Sequence, residues 1–341
     1  MKGVTISSRK YFHGGVILKK VVSIVISLCF LFTLAGCGGT TTENDNKIQI
    51  GVLQLAEHPA LDQSYEGFAA ALKDAGVEAE VELKNAQGDP SNCETIANKF
   101  VNDKVDLILA IATNAAQAAA NATETIPVVL TAVTDPEFSG LVDTNEHPGH
   151  NVTGTSDLTP VEAQIDLLKE ILPNTKTVAV MFNGAEDNSI FQADIAEKAI
   201  TSKGMTPMKV SVSELNQIQS VVESLVGKVD AIYIPTDNLL AEGMATVTMV
   251  TNENKIPVIV GEEGQVINGA LATYGLSYFN LGYKAGEMAV DILNGADPAE
   301  MAIGYLPAED CELIINMETV KALGLSIPDE VLNRARKINE E

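Results

Sequence analysis

Two segments of the chain, residues 105–130 (VDLILAIATNAAQAAANATETIPVVL) and residues 229–260 (VDAIYIPTDNLLAEGMATVTMVTNENKIPVIV), follow the same pattern. Each begins with Val-Asp and an apolar run, continues through a Thr-containing polar pair and a helical stretch, and ends on Ile-Pro-Val and further apolar residues. Short apolar runs separated by helical segments are typical of parallel sheets with helices on both faces. The repetition predicts two similar lobes. Coincidence stays an alternative, because buried parallel strands use few residue types.

The same alternation extends outward from both segments. Helix-period segments with apolar residues three and four apart separate the short runs. The first lobe is predicted to contain strands at residues 48–53, 79–83, 105–111, 126–130 and 151–155, and the second at residues 177–182, 207–212, 229–234 and 256–260. The predicted fold class is α/β, with two similar doubly wound parallel-sheet lobes and a ligand cleft between them.

The first 36 residues have the features of an export signal. Basic residues come first, an uncharged run of 14 residues (21–34) follows, and small residues end the segment. The run is short for a permanent membrane span, and the charge arrangement disfavours a buried helix of the fold. The junction Leu34-Ala35-Gly36-Cys37 resembles the lipobox of bacterial lipoproteins, which implies cleavage before Cys37 and lipid attachment to it. Residues 37–46 are small and polar, as expected of a flexible tether.

The composition excludes several classes of function. The chain has 341 residues, and five of its 22 Lys and Arg lie in the first 36 positions, so the rest carries 17 basic and 46 acidic residues, a net charge of −29. Such a surface repels phosphate backbones, which excludes nucleic acid as a partner. Outside the signal, Cys93 and Cys311 are two isolated thiols that establish no disulfide framework, although one bridge between them stays possible.

The chemistry-bearing motifs of enzymes are missing from the mature sequence. It has no nucleophile elbow, phosphate-binding loop or dinucleotide fingerprint. His147 and His150 lack the further ligands that a metal site needs. Paired acids such as Glu186-Asp187 and Glu262-Glu263 are adjacent rather than on either side of a bond. We therefore predict no catalytic activity, cofactor or metal.

Candidate ligand-binding residues follow from the strand ends, because parallel sheets bind ligands beyond the carboxyl ends of their strands. Two facing lobes would direct both sets of ends into one cleft. Helix capping is the alternative role for several of these residues. The candidates are Gln54, His58, Thr113, Asn114, Thr134 and Asp135 from the first lobe, Asn183, Glu186, Asn188, Ser189, Asp237, Asn238 and Glu262 from the second, and Tyr274 and Tyr278 around a crossing.

The charged residues narrow the ligand class. Asp237 is the acid predicted to meet a ligand ammonium group. After the signal the only arginines are Arg334 and Arg336, so a bidentate arginine clamp on a carboxylate is not expected. Backbone N–H groups and hydroxyls such as that of Thr113 would hold the carboxylate. The chain has no Trp, which disfavours a sugar site, and Tyr274 and Tyr278 could either wall an apolar side chain or pack in the core.

The mature chain resembles the ABC-transporter substrate-binding lipoproteins of the TrpX type, which have the type I periplasmic-binding-protein fold. The segments that carry the resemblance are residues 54–62 (QLAEHPALD), 85–89 (NAQGD), 131–136 (TAVTDP), 151–154 (NVTG) and 235–238 (PTDN). It implies a three-segment hinge that crosses near Asp157, Leu276–Tyr278 and residues 305–311. The N-terminal lobe would comprise residues 47–157 and 278–306, and the C-terminal lobe residues 158–277 and 307–335.

The resemblance also implies a function. The expected protein is a monomeric, lipid-anchored, extracytoplasmic receptor that captures a small amino acid by closure of the two lobes and delivers it to an ABC permease. Aromatic amino acids, tryptophan or tyrosine, are the expected ligands. A sensor that presents the same ligand to a signalling protein would have the same cleft, and an aliphatic amino acid or a nucleoside is the alternative ligand.

Overall fold

The structure is a computed structural model that describes residues 47–340. The predicted signal peptide, the whole tether and the lipidation site Cys37 lie outside the described residues. Within the described part of the chain, no helix is both long and apolar enough to cross a membrane.

The first lobe is a five-stranded parallel sheet in the order β2-β1-β3-β4-β5. Helices on both faces cover it, and its core is one cluster of apolar side chains. Its elements are β1 (Ile48–Gln54), α1 (Pro59–Asp74), β2 (Ala79–Asn85), α2 (Pro90–Asp103), β3 (Leu107–Ile111), α3 (Thr113–Ala122), β4 (Val128–Val133) and β5 (Val152–Ser156).

The second lobe repeats this order and adds strands at one edge, giving β12-β11-β10-β9-β8-β6-β7. All its pairs are parallel except β10 with β11, and two core clusters pack on its sheet. Its elements are α4 (Val161–Ile171), β6 (Thr177–Asn183), α5 (Asp187–Ser202), β7 (Thr206–Val212), α6 (Ile218–Leu225), β8 (Ala231–Ile234), α7 (Asn238–Glu242), α8 (Met244–Glu253), β9 (Val258–Val260), α9 (Glu263–Ile267), β10 (Ala272–Gly275), β11 (Glu312–Asn316), α11 (Met317–Leu323), α12 (Asp329–Arg334) and β12 (Arg336–Ile338). Helix α10 (Tyr278–Leu293) follows β10 in the chain but belongs to the first lobe.

The repeated Val-Asp pairs have the same structural role in both lobes. Strands β3 and β8 begin two residues later than predicted, and the aspartates before them cap the neighbouring strands instead. The Asp106 carboxylate accepts a hydrogen bond from the Gln49 N–H at 2.8 Å, and the Asp230 carboxylate accepts one from the Thr177 N–H at 2.9 Å. The repeat in the sequence therefore marks equivalent positions in two similar sheets.

The chain crosses between the two sheets three times. It leaves the first sheet after β5 and returns between β10 and α10. Gly304 then forms a parallel bridge with Thr155 of β5. The third crossing lies between Gly304 and β11. Helix α10 packs on the first lobe against α1, β4 and β5. Strand β12 lies beyond residue 335, the predicted end of the C-terminal lobe.

Glycines allow α1 and α10 to approach each other closely. A Cβ atom on Gly282 would lie 1.9 Å from the backbone oxygen of Ser64, and one on Gly67 would lie 2.0 Å from that of Phe279. These neighbours are backbone atoms, so they cannot move aside as a flexible side chain would. The late helix is thus fixed on the first lobe by direct backbone contact.

We expect Gly282→Ala to lower the free energy of unfolding by about 1–3 kcal/mol, because overpacking forces the two helices apart. Denaturant unfolding followed by circular dichroism measures this difference. Glu287→Ala changes an exposed residue on the same helix and is the control. Its free energy of unfolding should stay within about 0.5 kcal/mol of that of wild type. Equal stability of the two variants would contradict the close packing of α1 and α10.

Candidate ligand-binding site

The carboxyl ends of both sets of strands face one cleft, and the two lobes touch across it. The His58 imidazole Nε2 lies 3.2 Å from the Asn238 amide oxygen, and the Thr134 and Thr236 hydroxyls are 3.4 Å apart. At the rim, the Gln117 amide donates to the Asp187 carboxylate at 2.8 Å. The lobes are therefore in contact both at the floor and at the edge of the cleft.

Residues of both lobes line a narrow space with a free volume of about 10 Å³. This is far below the volume of a site that already holds a small molecule, so the lobes must part to admit a ligand. The first lobe and the adjoining crossings contribute His58, Ala60, Leu61, Ala132, Asp157 and Tyr278. The second lobe contributes Asn188, Thr236, Asp237, Asn238, Ala241 and Glu262. We call this space the inner chamber.

The inner chamber is acidic. Three carboxylates line it, those of Asp157, Asp237 and Glu262, and no Lys or Arg is among its lining residues. All three side chains are buried, with 4% or less of each exposed. Burial of a carboxylate without a cation disfavours its charged form. The chamber is therefore suited to a ligand that brings a positive charge.

Asp237 follows strand β8 and caps helix α7. Its carboxylate accepts hydrogen bonds from the Leu240 N–H at 2.9 Å and from the Asn183 N–H at 2.5 Å, and Ser189 adds a side-chain contact. Burial, together with the charge of nearby Glu186, raises the pKa of Asp237 to about 7. Capping and exposure to the chamber, the two roles considered for Asp237, thus coexist in one side chain.

Glu262 follows strand β9 in the same way and caps helix α9. Its two carboxylate oxygens accept hydrogen bonds from the Gly264 N–H at 2.5 Å and the Gln265 N–H at 2.7 Å. Burial raises the pKa of Glu262 to about 7, although these two hydrogen bonds favour the charged form.

Asp157 lies at the first crossing and was not among the predicted ligand residues. Its carboxylate accepts hydrogen bonds from the Tyr278 hydroxyl at 2.7 Å and the Thr134 hydroxyl at 2.9 Å. Burial raises the pKa of Asp157, and burial together with the Asp157 charge raises that of Tyr278. Its position directly after the fifth strand of the first lobe is the sequence signal that could have identified it.

Amide side chains surround a fourth buried acid, Glu186. Its carboxylate accepts hydrogen bonds from the side-chain amides of Asn183 at 2.9 Å, Asn188 at 3.2 Å and Asn238 at 2.7 Å. Asn188 also donates to Ser189 at 3.3 Å. The predicted polar residues at the β6 and β8 ends therefore form one connected network.

Two buried polar atoms of the inner-chamber residues have no hydrogen-bond partner among the described residues, His58 Nδ1 and Asn188 Oδ1. Burial lowers the pKa of His58, so its imidazole is neutral at neutral pH and can donate or accept according to its tautomer. Asn188 Oδ1 can only accept. A buried polar atom without a partner is costly, so these two atoms indicate where a polar ligand group would bind.

Other predicted residues do not line the inner chamber. The Gln54 amide donates to Asp62 and to the Ala56 carbonyl, both at 2.7 Å, which holds the loop after β1. Asp135 accepts from the Phe138 N–H at 3.0 Å and the Asn145 amide at 3.1 Å in a surface loop.

Tyr274 and two residues at the start of α3 also lie elsewhere. Tyr274 borders an outer depression between α4 and β11, because the pleat of β10 directs its side chain away from the cleft. Thr113 is buried, and its hydroxyl has no partner among the described residues. Asn114 lines a second space between the lobes, of about 100 Å³, together with Asn183, Glu186 and Asn238.

The family model described as ABC transporter substrate binding protein matches residues 49–339. A curated relative, the tyrosine-binding protein of Clostridioides difficile (strain R20291), is 41% identical over 322 residues, which cover 90% of this chain and 93% of the relative.

Two solved structures are similar over nearly their whole length. The ABC domain from Streptococcus pneumoniae in complex with L-Trp is 35% identical, with a TM-score of 0.82, covering 85% of this chain and 99% of that one. A substrate-binding protein with adhesive properties from Clostridium difficile, in a ligand-free, open structure, is 43% identical but has a TM-score of 0.66, covering 86% and 99%. The chain is therefore structurally more similar to the L-Trp complex than to the open, ligand-free protein, although its sequence is more similar to that of the open protein.

We expect the ligand-free protein to lose stability as the pH rises through the titration of Glu262. Its pKa of about 7 in the folded protein exceeds the usual value of about 4.3 in an unfolded chain. The folded state therefore binds a proton that the unfolded state releases. This contribution is largest below about pH 4 and is lost as the pH approaches 7.

Glu262→Gln removes this titration, so the free energy of unfolding of wild type relative to the variant should fall by about 2–3 kcal/mol between pH 4.5 and 8. Denaturant unfolding at four pH values measures the difference, and titrating groups that do not interact with Glu262 cancel in it. A difference that does not change with pH would contradict the assignment.

Proposed function

The chain belongs to the ABC transporter substrate binding protein family, and from this we propose that it captures an aromatic amino acid outside the cytoplasmic membrane. The proposed ligand is tyrosine or tryptophan, delivered to an ABC permease, and the chain itself carries out no catalysis. The observation that carries the proposal is an acidic chamber, enclosed by both lobes, in which no basic side chain offsets the carboxylates.

The carboxylates favour a ligand with an ammonium group. Asp237 accepts two backbone hydrogen bonds and still faces the chamber, so it can pair with an ammonium group without losing its cap. The amino acid would supply the missing positive charge, and its binding would favour the ionised form of Asp237. Pairing with the ligand ammonium group would also explain how the ionised Asp237 side chain can stay buried in the complex.

The remaining lining combines apolar surface with polar groups, which fits a side chain with an apolar body and a polar edge. Ala60, Leu61, Ala132, Ala241 and the Tyr278 ring contribute apolar surface. The unpartnered His58 Nδ1 and Asn188 Oδ1 offer hydrogen bonds to a phenol, an indole N–H or the ligand's charged ends. The relative named as a tyrosine-binding protein and the L-Trp complex support the aromatic class.

Closure of the lobes around the ligand is the proposed mechanism. The described residues are arranged more like the protein solved with L-Trp than like the open, ligand-free protein, which is closer in sequence. A whole-chain TM-score depends on how two lobes are placed relative to each other, so the difference supports a closed arrangement here. Opening would then release the ligand to the permease.

A lipid on Cys37 is the proposed anchor. The segment Leu34-Ala35-Gly36-Cys37 and the polar residues that follow it support a lipidated N-terminus that holds the receptor at the outer face of the cytoplasmic membrane. A single acyl chain binds membranes weakly, so stable attachment needs more than one chain.

Isothermal titration with L-tyrosine and L-tryptophan tests the ligand class. We expect at least one to bind, and Asp237→Asn to weaken binding at least 100-fold, which corresponds to about 3 kcal/mol for breaking a buried charge pair. Asp135→Asn, which changes an acid after β4 that does not line the chamber, is the control and should stay within threefold of wild type. Failure of both amino acids to bind wild type, or unchanged binding in Asp237→Asn, would refute the proposal.

Metabolic labelling with a palmitate analogue tests the anchor. Wild type should be labelled and found in the membrane fraction, whereas Cys37→Ser should lose the label. Cys93→Ser is the control, because Cys93 is buried in the first lobe and its loss should leave the label unchanged. Label retained in Cys37→Ser would show that lipid attaches elsewhere.

A further inference from the structure

Gln192, a side chain of the second lobe, contacts the first lobe at the floor of the cleft. It lies on α5 and is fully buried. Its amide nitrogen is 3.1 Å from the Thr134 hydroxyl of the first lobe. Gln192 is not among the residues that line the inner chamber, so it would act on the ligand only through other groups.

The same amide also holds the end of strand β8. Its nitrogen contacts the Thr236 carbonyl at 3.2 Å and the Thr236 hydroxyl, and its oxygen accepts from the Thr236 N–H at 3.4 Å. Thr236 directly precedes Asp237, the acid proposed to bind the ligand ammonium. Gln192 thereby fixes the backbone from which Asp237 reaches the chamber.

Acceptors around this amide outnumber its protons. The amide nitrogen carries two protons, and its acceptors are the Thr134 hydroxyl, the Thr236 hydroxyl, the Thr236 carbonyl and the Asn188 carbonyl, the last at 3.2 Å. Three of these four acceptors belong to the second lobe, so the amide can still reach them when the lobes separate. Only the contact with Thr134 requires the two lobes to be together.

The hydrogen bonds continue from Thr134 into the hinge. The Thr134 hydroxyl donates its only proton to Asp157, so its lone pairs are free to accept from Gln192. The other Asp157 oxygen accepts from the Tyr278 hydroxyl. A directed chain therefore runs from α5 through the end of β4 to both the first and the second crossing.

We propose that Gln192 is a positioning residue that couples ligand binding at Asp237 to closure of the two lobes. The part of this proposal that concerns the ligand rests on the proposed function. Gln192 holds the Asp237 backbone in either arrangement. On closure its amide gives the buried Thr134 hydroxyl a donor in place of water, so closing leaves no unpaired acceptor there, which favours the closed arrangement in which both lobes surround the ligand. A state favoured in this way binds its ligand more tightly, because less of the binding free energy is spent on closing.

Gln192→Met tests the proposal, since Met is similar in size and lacks the amide. The control is Gln265→Met. Gln265 is also fully buried, and its amide donates at 3.3 Å to Pro235, two residues before Asp237, within the second lobe. Both variants remove a hydrogen bond to the end of β8, and only Gln192→Met removes a contact between the lobes.

The absence of Trp from the chain provides a reporter that needs no ligand. Phe138 of the first lobe is half-exposed and packs on Phe191 of the second, with ring centroids 4.9 Å apart. In a Phe138→Trp background, separation of the lobes should expose the indole, shift its emission to longer wavelength and increase its quenching by acrylamide. Titration with L-tyrosine then measures affinity in the same samples.

We expect Gln192→Met to shift the ligand-free emission toward that of an exposed indole and to weaken L-tyrosine binding at least tenfold. Gln265→Met should retain the parent emission and bind within threefold of it. A merely structural role would lower the melting temperature of both variants and leave emission and affinity equal in the two. That result would overturn the proposal.

If neither L-tyrosine nor, by isothermal titration, L-tryptophan binds the parent protein, the proposed ligand class is wrong, and the ligand-free emission alone decides the role of Gln192. Unchanged emission in Gln192→Met would then overturn its role in closure.

Discussion

The burial of negative charge between the lobes is the constraint on which the rest of the cleft depends. Asp157, Glu186, Asp237 and Glu262 are all buried there, and no Lys or Arg lines the inner chamber. Each acid is stabilised by fixed dipoles instead. Two cap helices, one accepts from two hydroxyls, and one accepts from three side-chain amides. These hydrogen bonds stabilise the buried carboxylates, but no cation of the protein neutralises their charge within the chamber.

The same constraint explains why capping and ligand binding are not competing roles here. A helix that starts at the end of a parallel strand places its first N–H groups at the edge where ligands bind. An acid at that position satisfies these N–H groups and faces the cleft at the same time. Asp237 and Glu262 occupy this position after β8 and β9, so a sequence that predicts a cap there also predicts a residue facing the cleft.

Much of the fold and part of the site could be predicted from the sequence. The fold class and the family are confirmed, and the ends of the nine predicted strands agree with the structure to within three residues, whereas β10, β11 and β12 were not predicted. The expectation that ligands bind beyond strand ends led to His58, Asn188, Asp237, Asn238 and Glu262, and the predicted crossing led to Tyr278; all six line the inner chamber. It could not identify Gln192, whose contacts depend on how two separate lobes meet. Gln54, Asp135 and Tyr274 were also predicted to bind the ligand but do not line the inner chamber, because loop hydrogen bonding and strand pleat are not visible in residue spacing.

The packing of α10 on α1 has a consequence for how the protein is made. The first lobe consists of residues that are translated early and of a helix that is translated only after most of the second lobe. Until residues 278–293 have emerged from the ribosome, the face of α1 around Gly67 and Phe68 has no cover. The first half of the chain therefore cannot complete its core during synthesis, whatever the strength of its own strands. Such a delay leaves any chain that ends before residue 278 without a finished first lobe.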